Sequence, residues 1–216
     1  MKIISGEIDF TKKTGLSDIS LYKENEGQGG YRTILAPSKS IDSKAMYFPN
    51  LTLDEKVWQQ TVAKSNFRKA LSLAINRQEI NNLVFYGMGK VSQATDVPGS
   101  PFVEPEFREA YAEYNPEKAN EILDEMGFDK RNEEGFRLTP DGEVLRIDIE
   151  FFEVNSDLVP TTELVADYWR QIGIDASMQI IDQGLWYQRQ GANKTRMSVW
   201  HTDGVRPGVP FFWFVP

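Results

Sequence analysis

The chain has no cysteine and one histidine among its 216 residues, and these two shortages remove whole classes of chemistry. Without a thiol there is no disulfide, no thiolate nucleophile and no thiolate metal site. The single imidazole, His201, has no H-x-x-x-H partner, and a lone histidine makes no metal site without carboxylate company, so it reads as a polar wall of a cleft or an exposed residue rather than a metal ligand. Basic residues are short as well: 24 Lys and Arg stand against 32 Asp and Glu, a formal net charge of -8. A nucleic-acid partner needs a cationic surface that displaces counterions, so this balance argues against one. It also disfavours docking on an anionic membrane. No apolar run approaches the roughly 18 residues that cross a bilayer. The opening Met1 to Phe10 lacks the apolar core of a secretory leader. No G-x-S-x-G, P-loop or dinucleotide fingerprint occurs.

What is present is an ordinary globular composition, 40% hydrophobic and 26% charged, with alternating strand and helix signals. Ile3 to Phe10 reads as a short strand interrupted by Gly6, and Glu24 to Gly30 as a turn or loop. Tyr31 to Leu35 and Ala45 to Phe48 read as strands bounded by Pro37 and Pro49. Phe67, Ala70, Leu71, Ala74 and Ile75 recur at helical spacing. Asn76 then N-caps a second helix, with Glu79 in the capping-box position, Ile80, Leu83 and Val84 on its apolar face and Gly87 as its terminator. Ser92 to Tyr114 reads as loop. Asn115-Pro116 opens a further helix whose buried stripe is Ala119, Ile122, Leu123 and Met126, closed by Gly127.

Pro140-Asp141-Gly142 signals a hairpin between Phe136–Thr139 and Val144–Phe152. In its second arm Leu145, Ile147, Ile149 and Phe151 alternate with polar residues. A helix over Leu158 to Ile172 and a strand over Ile174 to Ile181 complete a crossover, which predicts two parallel neighbours in one sheet. A short helix from Gly184 to Gln190 and a strand from Met197 to Trp200 follow. The fold class is α/β: a mixed sheet with packed helices, read as a single domain over residues 1–216.

Several of these segments, in order, resemble bacterial extracellular solute-binding proteins of family 5, the ligand-capturing subunits of oligopeptide- and dipeptide-type ABC importers. Gly6-Glu7-Ile8-Asp9-Phe10 is similar to the strand before the crossing into the second lobe. Phe48-Pro49-Asn50-Leu51-Thr52, the Phe67–Arg77 block FRKALSLAINR, Asn115-Pro116-Glu117-Lys118-Ala119 and Ile172-Gly173-Ile174 follow. Trp200-His201-Thr202-Asp203-Gly204 resembles the W-x-x-D segment of peptide receptors. The resemblance implies one lobe of a type II periplasmic-binding-protein clamshell, mainly the second, with residues 1–10 crossing from a first lobe absent from this chain. It further implies an internal piece whose leader lies upstream, a periplasmic or extracellular membrane-anchored location, ABC permease subunits as partners, no cofactor and no enzymatic activity.

The same resemblance assigns Asp203 to the α-ammonium of a peptide ligand, where a charge-assisted hydrogen bond is strong. It places Trp200, His201, Thr202 and Gly204 beside it, with Trp186 and Tyr187 as further aromatic contacts for a side chain or a sugar face. The alternatives for these residues are a simple turn at Asp203-Gly204 and core packing for the aromatics. After Asp203 the sequence departs from the peptide-receptor pattern, with Gly204-Val205-Arg206-Pro207 there, so an oligosaccharide ligand stands beside an oligopeptide. Phe211 to Phe214 reads as core, or as surface meant for the first lobe. Glu150, Glu153, Asp157 and Asp182 lie near strand ends, where a hydrolase pair sits. Acidic residues are abundant enough that this proximity arises by chance.

Overall fold

The computed structural model describes residues 2–11, 15–35, 43–95 and 104–201. The chain gathers into two compact units, residues 1–38 and 39–216. In the first, residues 2–6 form turns, closed by the Gly6 amide on the Ile3 carbonyl at 3.1 Å and the Glu7 amide on the Lys2 carbonyl at 3.0 Å. The strand expected over Ile3 to Phe10 is therefore not formed: local turn bonds take its donors. Helices Ile19–Glu24 (α1) and Glu26–Gly29 (α2) follow a single 3-10 turn. The second replaces the expected loop and ends at Gly30, whose φ of 67° suits a residue without a Cβ. Tyr31 to Leu35 is likewise not a strand. Its Thr33 amide donates to Glu26 Oε1 at 2.6 Å, and the Tyr31 hydroxyl donates to the Tyr22 carbonyl at 2.6 Å.

The second unit holds Met46–Pro49 (β1), then Lys56–Val62 (α3), Ser65–Leu73 (α4), Arg77–Val84 (α5), Pro105–Glu109 (α6) and Pro116–Glu125 (α7). Arg146–Phe151 (β2), Leu158–Gln171 (α8), Asp175–Ile180 (β3), Gln183–Gly191 (α9) and Met197–Trp200 (β4) complete it. The four strands make one mixed sheet in the order β1-β4-β2-β3. As the crossover predicts, β2 and β3 are parallel, and β4 runs parallel to β2 on its other side. β1 lies antiparallel to β4 at the edge. The hairpin at Pro140-Asp141-Gly142 closes through the isolated bridge of Leu138 with Val144 and through the Thr139 amide on the Glu143 carbonyl at 2.7 Å and the Leu145 amide on the Arg137 carbonyl at 2.8 Å.

Alternation sorts the strands' side chains onto two faces. Ile147, Ile149 and Phe151 of β2 join Met197 and Val199 of β4 in the main core, with Phe67, Leu71 and Leu73 of α4 and Val165 and Trp169 of α8. Trp169 is among the largest fully buried side chains, and its indole donates to the Leu71 carbonyl at 3.0 Å, which ties α8 to the end of α4. The opposite face carries Glu150, Phe152, Ser198 and Trp200, and α9 packs there.

Candidate functional site

From β2 the chain crosses through α8 to β3 on one side, then returns through α9 to β4 on the other. Such a reversal opens a crevice outside the carboxyl ends of parallel strands, where ligands of open α/β sheets settle. At this edge five aromatic rings come together. Trp186 stacks on Trp200 with centroids 5.8 Å apart and planes 22° from parallel. Phe152 touches both, at 5.3 Å and 5.1 Å. Tyr187 lies 5.1 Å from Trp186 and 6.0 Å from Phe152, and His201 stacks on Trp200 at 4.9 Å. Trp186 is 5% exposed whereas Tyr187 is 45% exposed, so the cluster has a packed base and an open rim. Val154, Ile180 and Leu185, all near this edge, are exposed apolar side chains.

Beneath the rings lies a polar layer. Glu150 accepts two bonds from Arg189, Nε to Oε2 at 2.7 Å and Nη2 to Oε1 at 2.5 Å, and a third from the Thr195 hydroxyl at 3.0 Å. Its own hydrogen bonding to Glu150, helped by the Glu150 charge, raises the Arg189 pKa above its ordinary value. The Trp186 indole donates to the Glu150 backbone carbonyl at 3.1 Å. Asp182 caps α9, its Oδ1 accepting from the Gly184 and Leu185 amides at 2.8 and 3.1 Å. Of the four carboxylates weighed as hydrolase candidates, Glu150 and Asp182 thus serve local structure.

Of the residues expected at a site, Trp186, Tyr187, Trp200 and His201 are brought into one cluster. Thr202, Asp203 and Gly204 lie outside the described residues, as does Phe211 to Phe214. Phe152 was missed by sequence reasoning. Its signal was the period of two: residues 148, 150 and 152 share the face opposite Ile147, Ile149 and Phe151. Among the described residues no group of three or more His, Asp or Glu is placed to hold a metal ion, and no helix is long and apolar enough to cross a membrane.

The motifs beside the site have local structural explanations. Asn50 accepts the Trp58 indole on its carbonyl at 2.8 Å and donates to the Thr195 carbonyl at 2.9 Å, which fastens the end of β1 to the start of β4. Arg77 donates to the Ser72 carbonyl at 2.9 Å and to the Ala112 carbonyl at 3.3 Å. It is a tie between α4 and the following loop rather than a ligand contact.

The sequence model of bacterial extracellular solute-binding proteins, family 5 Middle, matches residues 1–215. The nickel-binding periplasmic protein of Escherichia coli (strain K12) is 26% identical over 138 residues, covering 64% of this chain and 26% of that protein. A solved oligopeptide-binding protein OppA superposes with a TM-score of 0.79 at 37% identity, covering 94% of this chain and 32% of its own. The binding protein MelB of Agrobacterium fabrum C58, solved with stachyose, gives a TM-score of 0.75 at 15% identity over 93% of this chain and 32% of that one, a likeness of fold. The chain spans about a third or less of the length of these relatives.

Proposed function

Because this chain belongs to the bacterial extracellular solute-binding proteins of family 5, we propose that it supplies the second lobe of a receptor that captures oligopeptides for an ABC importer. The aromatic edge at the carboxyl ends of β2 and β4 is the observation that carries this reading. It combines a packed base, an exposed rim and the switch point of the sheet. The first lobe, the permease subunits and a periplasmic or extracellular membrane-anchored setting belong to the same proposal. In it the ligand touches both lobes and shifts the open–closed equilibrium toward the closed state. The 37% identity to an oligopeptide-binding protein supports peptide as the ligand class, with Asp203 as the partner of its ammonium group.

An oligosaccharide is the second reading, favoured by the stacked pair Trp186 and Trp200, since flat indoles take sugar faces as readily as apolar side chains. Hydrolysis finds no support in Glu150 and Asp182, whose oxygens are engaged by Arg189, Thr195 and helix amides. The test is a competition on the protein with both lobes present, following tryptophan emission. Tripeptides are expected to displace bound ligand and cello- or xylo-oligomers to leave it in place. Displacement by the sugars alone would replace the first reading by the second, and turnover of either ligand class would end both.

A further inference from the structure

The aromatic wall stands on a polar rung that the proposed ligand role does not use. Glu150 of β2 and Ser198 of β4 are register partners, and both are buried. Each captures one residue of α9: Glu150 holds Arg189 in a two-pronged pair, and Ser198 accepts from Gln190. Trp186, Arg189 and Gln190 are spaced three and four apart, so one helix face makes all these contacts. Two residues beyond the rung, on the same side of each strand, come Phe152 and Trp200. Glu150 is buried, but the Arg189 side chain is 37% exposed, and a pair open to water on one side adds little stability. What a forked guanidinium–carboxylate pair supplies is geometry.

We propose that the Glu150–Arg189 pair, braced by Thr195, is the positioning element of the aromatic wall. It fixes the rotation of α9, hence the angle at which Trp186 stacks on Trp200. It also holds the guanidinium on the Glu150 carboxylate and the Lys194 carbonyl, so its charge is paired and the wall offers a ligand uncharged π surface. The second consequence rests on the ligand-facing reading of the wall; the first does not.

The experiment uses this chain without ligand and reads the far-ultraviolet exciton couplet of two stacked indoles, together with urea unfolding. Trp200→Phe is expected to abolish the couplet, which assigns it to this pair; a couplet that survives overturns the stacking geometry and the proposal with it. Arg189→Met is expected to reduce the amplitude by roughly half or more in the native baseline, as supporting contacts loosen. A lowered unfolding midpoint with an unchanged couplet would mean a merely stabilising role and would overturn the proposal. Should Arg189→Met not fold, Thr195→Val removes one donor to Glu150 and leaves the charges paired. A smaller but measurable loss of amplitude is then expected, and none would be fatal. No ligand enters the measurement, so a receptor that bound neither peptide nor sugar would leave this result standing.

Discussion

Gly173 sits where only glycine fits. Its φ is 86°, and a Cβ built there meets Arg131 Nη1 at 1.9 Å and Arg137 Cγ at 3.0 Å. The crowding exists because the end of α8 is held by arginines. Arg137, 1% exposed, donates to the Ile172 carbonyl at 2.7 Å, to the Phe128 carbonyl at 2.6 Å and to Asp124 at 2.5 Å. Arg131 adds a bond to Ile172 at 3.3 Å. Gly173→Ala therefore incurs both backbone strain and a displaced guanidinium, and a loss of about 2 kcal/mol is expected. Urea unfolding checks it; a change within experimental scatter would mean the arginines swing aside freely. Tyr168 offers a residue-scale test of pH. Burial first, then its hydrogen bond to Glu79 and the charge of that residue, raise the phenol above its ordinary value. Above pH about 10 an unfolded chain ionises its tyrosines while the folded chain keeps this proton. The stability from this group is thus complete below that pH and falls as pH climbs, by up to about 1.4 kcal/mol per pH unit. Arg77, drawn down to about 10 by burial, has the opposite sign in the same window. Comparison with Tyr168→Phe cancels that contribution: the variant is expected to lose stability less steeply between pH about 10 and 11. Equal slopes for the two proteins would remove Tyr168 from the account.

Elements were legible in the sequence where local and tertiary signals agree. Asn76 does cap α5, its side chain accepting from the Glu79 amide at 3.1 Å, and Glu79 goes on to receive the Tyr168 hydroxyl at 2.9 Å. Asn115 caps α7 in the same way through the Lys118 amide at 2.9 Å, and its own amide donates to the Leu73 carbonyl at 2.8 Å. Asn115→Ala is expected to cost about 1 kcal/mol and Asn115→Gly only a few tenths. Identical unfolding midpoints for the two variants would discard the capping role. The period of two in β2 and the crossover to β3 were equally readable, because burial enforces both. The strands expected over Ile3–Phe10 and Tyr31–Leu35 failed for a shared reason. A strand is stable only when a neighbour takes its backbone groups, and here turn bonds take amides of the first segment and Glu26 Oε1 takes the Thr33 amide of the second. Helix α3 gave no cap signal, since its N-cap Glu55 makes no side-chain capping bond. Of the aromatic edge, the named residues were legible as a composition, Trp186-Tyr187 and Trp200-His201. Their convergence was not, because it depends on the return of β4 to the far side of β2.

For the molecule as a whole, the consequence of the proposed clamp is thermodynamic. The aromatic wall lies at one edge of one sheet, with Tyr187, Leu185, Ile180 and Val154 exposed there. A ligand resting on it through one side keeps its other side in water. If two lobes share the contacts evenly, each supplies half the binding free energy, so the dissociation constant of a lone lobe approaches the square root of that of the pair. A receptor of about 1 μM, near -8 kcal/mol, then becomes a lobe of about 1 mM, near -4 kcal/mol. Calorimetry of the 216-residue chain with the tripeptide that saturates the complete receptor is expected to give no heat at micromolar concentrations. Weak quenching of indole emission is expected only in the millimolar range, and Trp200→Ala should abolish it. Submicromolar affinity for this chain alone would mean that its own surface encloses the ligand, and a clamp closing from two sides would no longer describe how it binds.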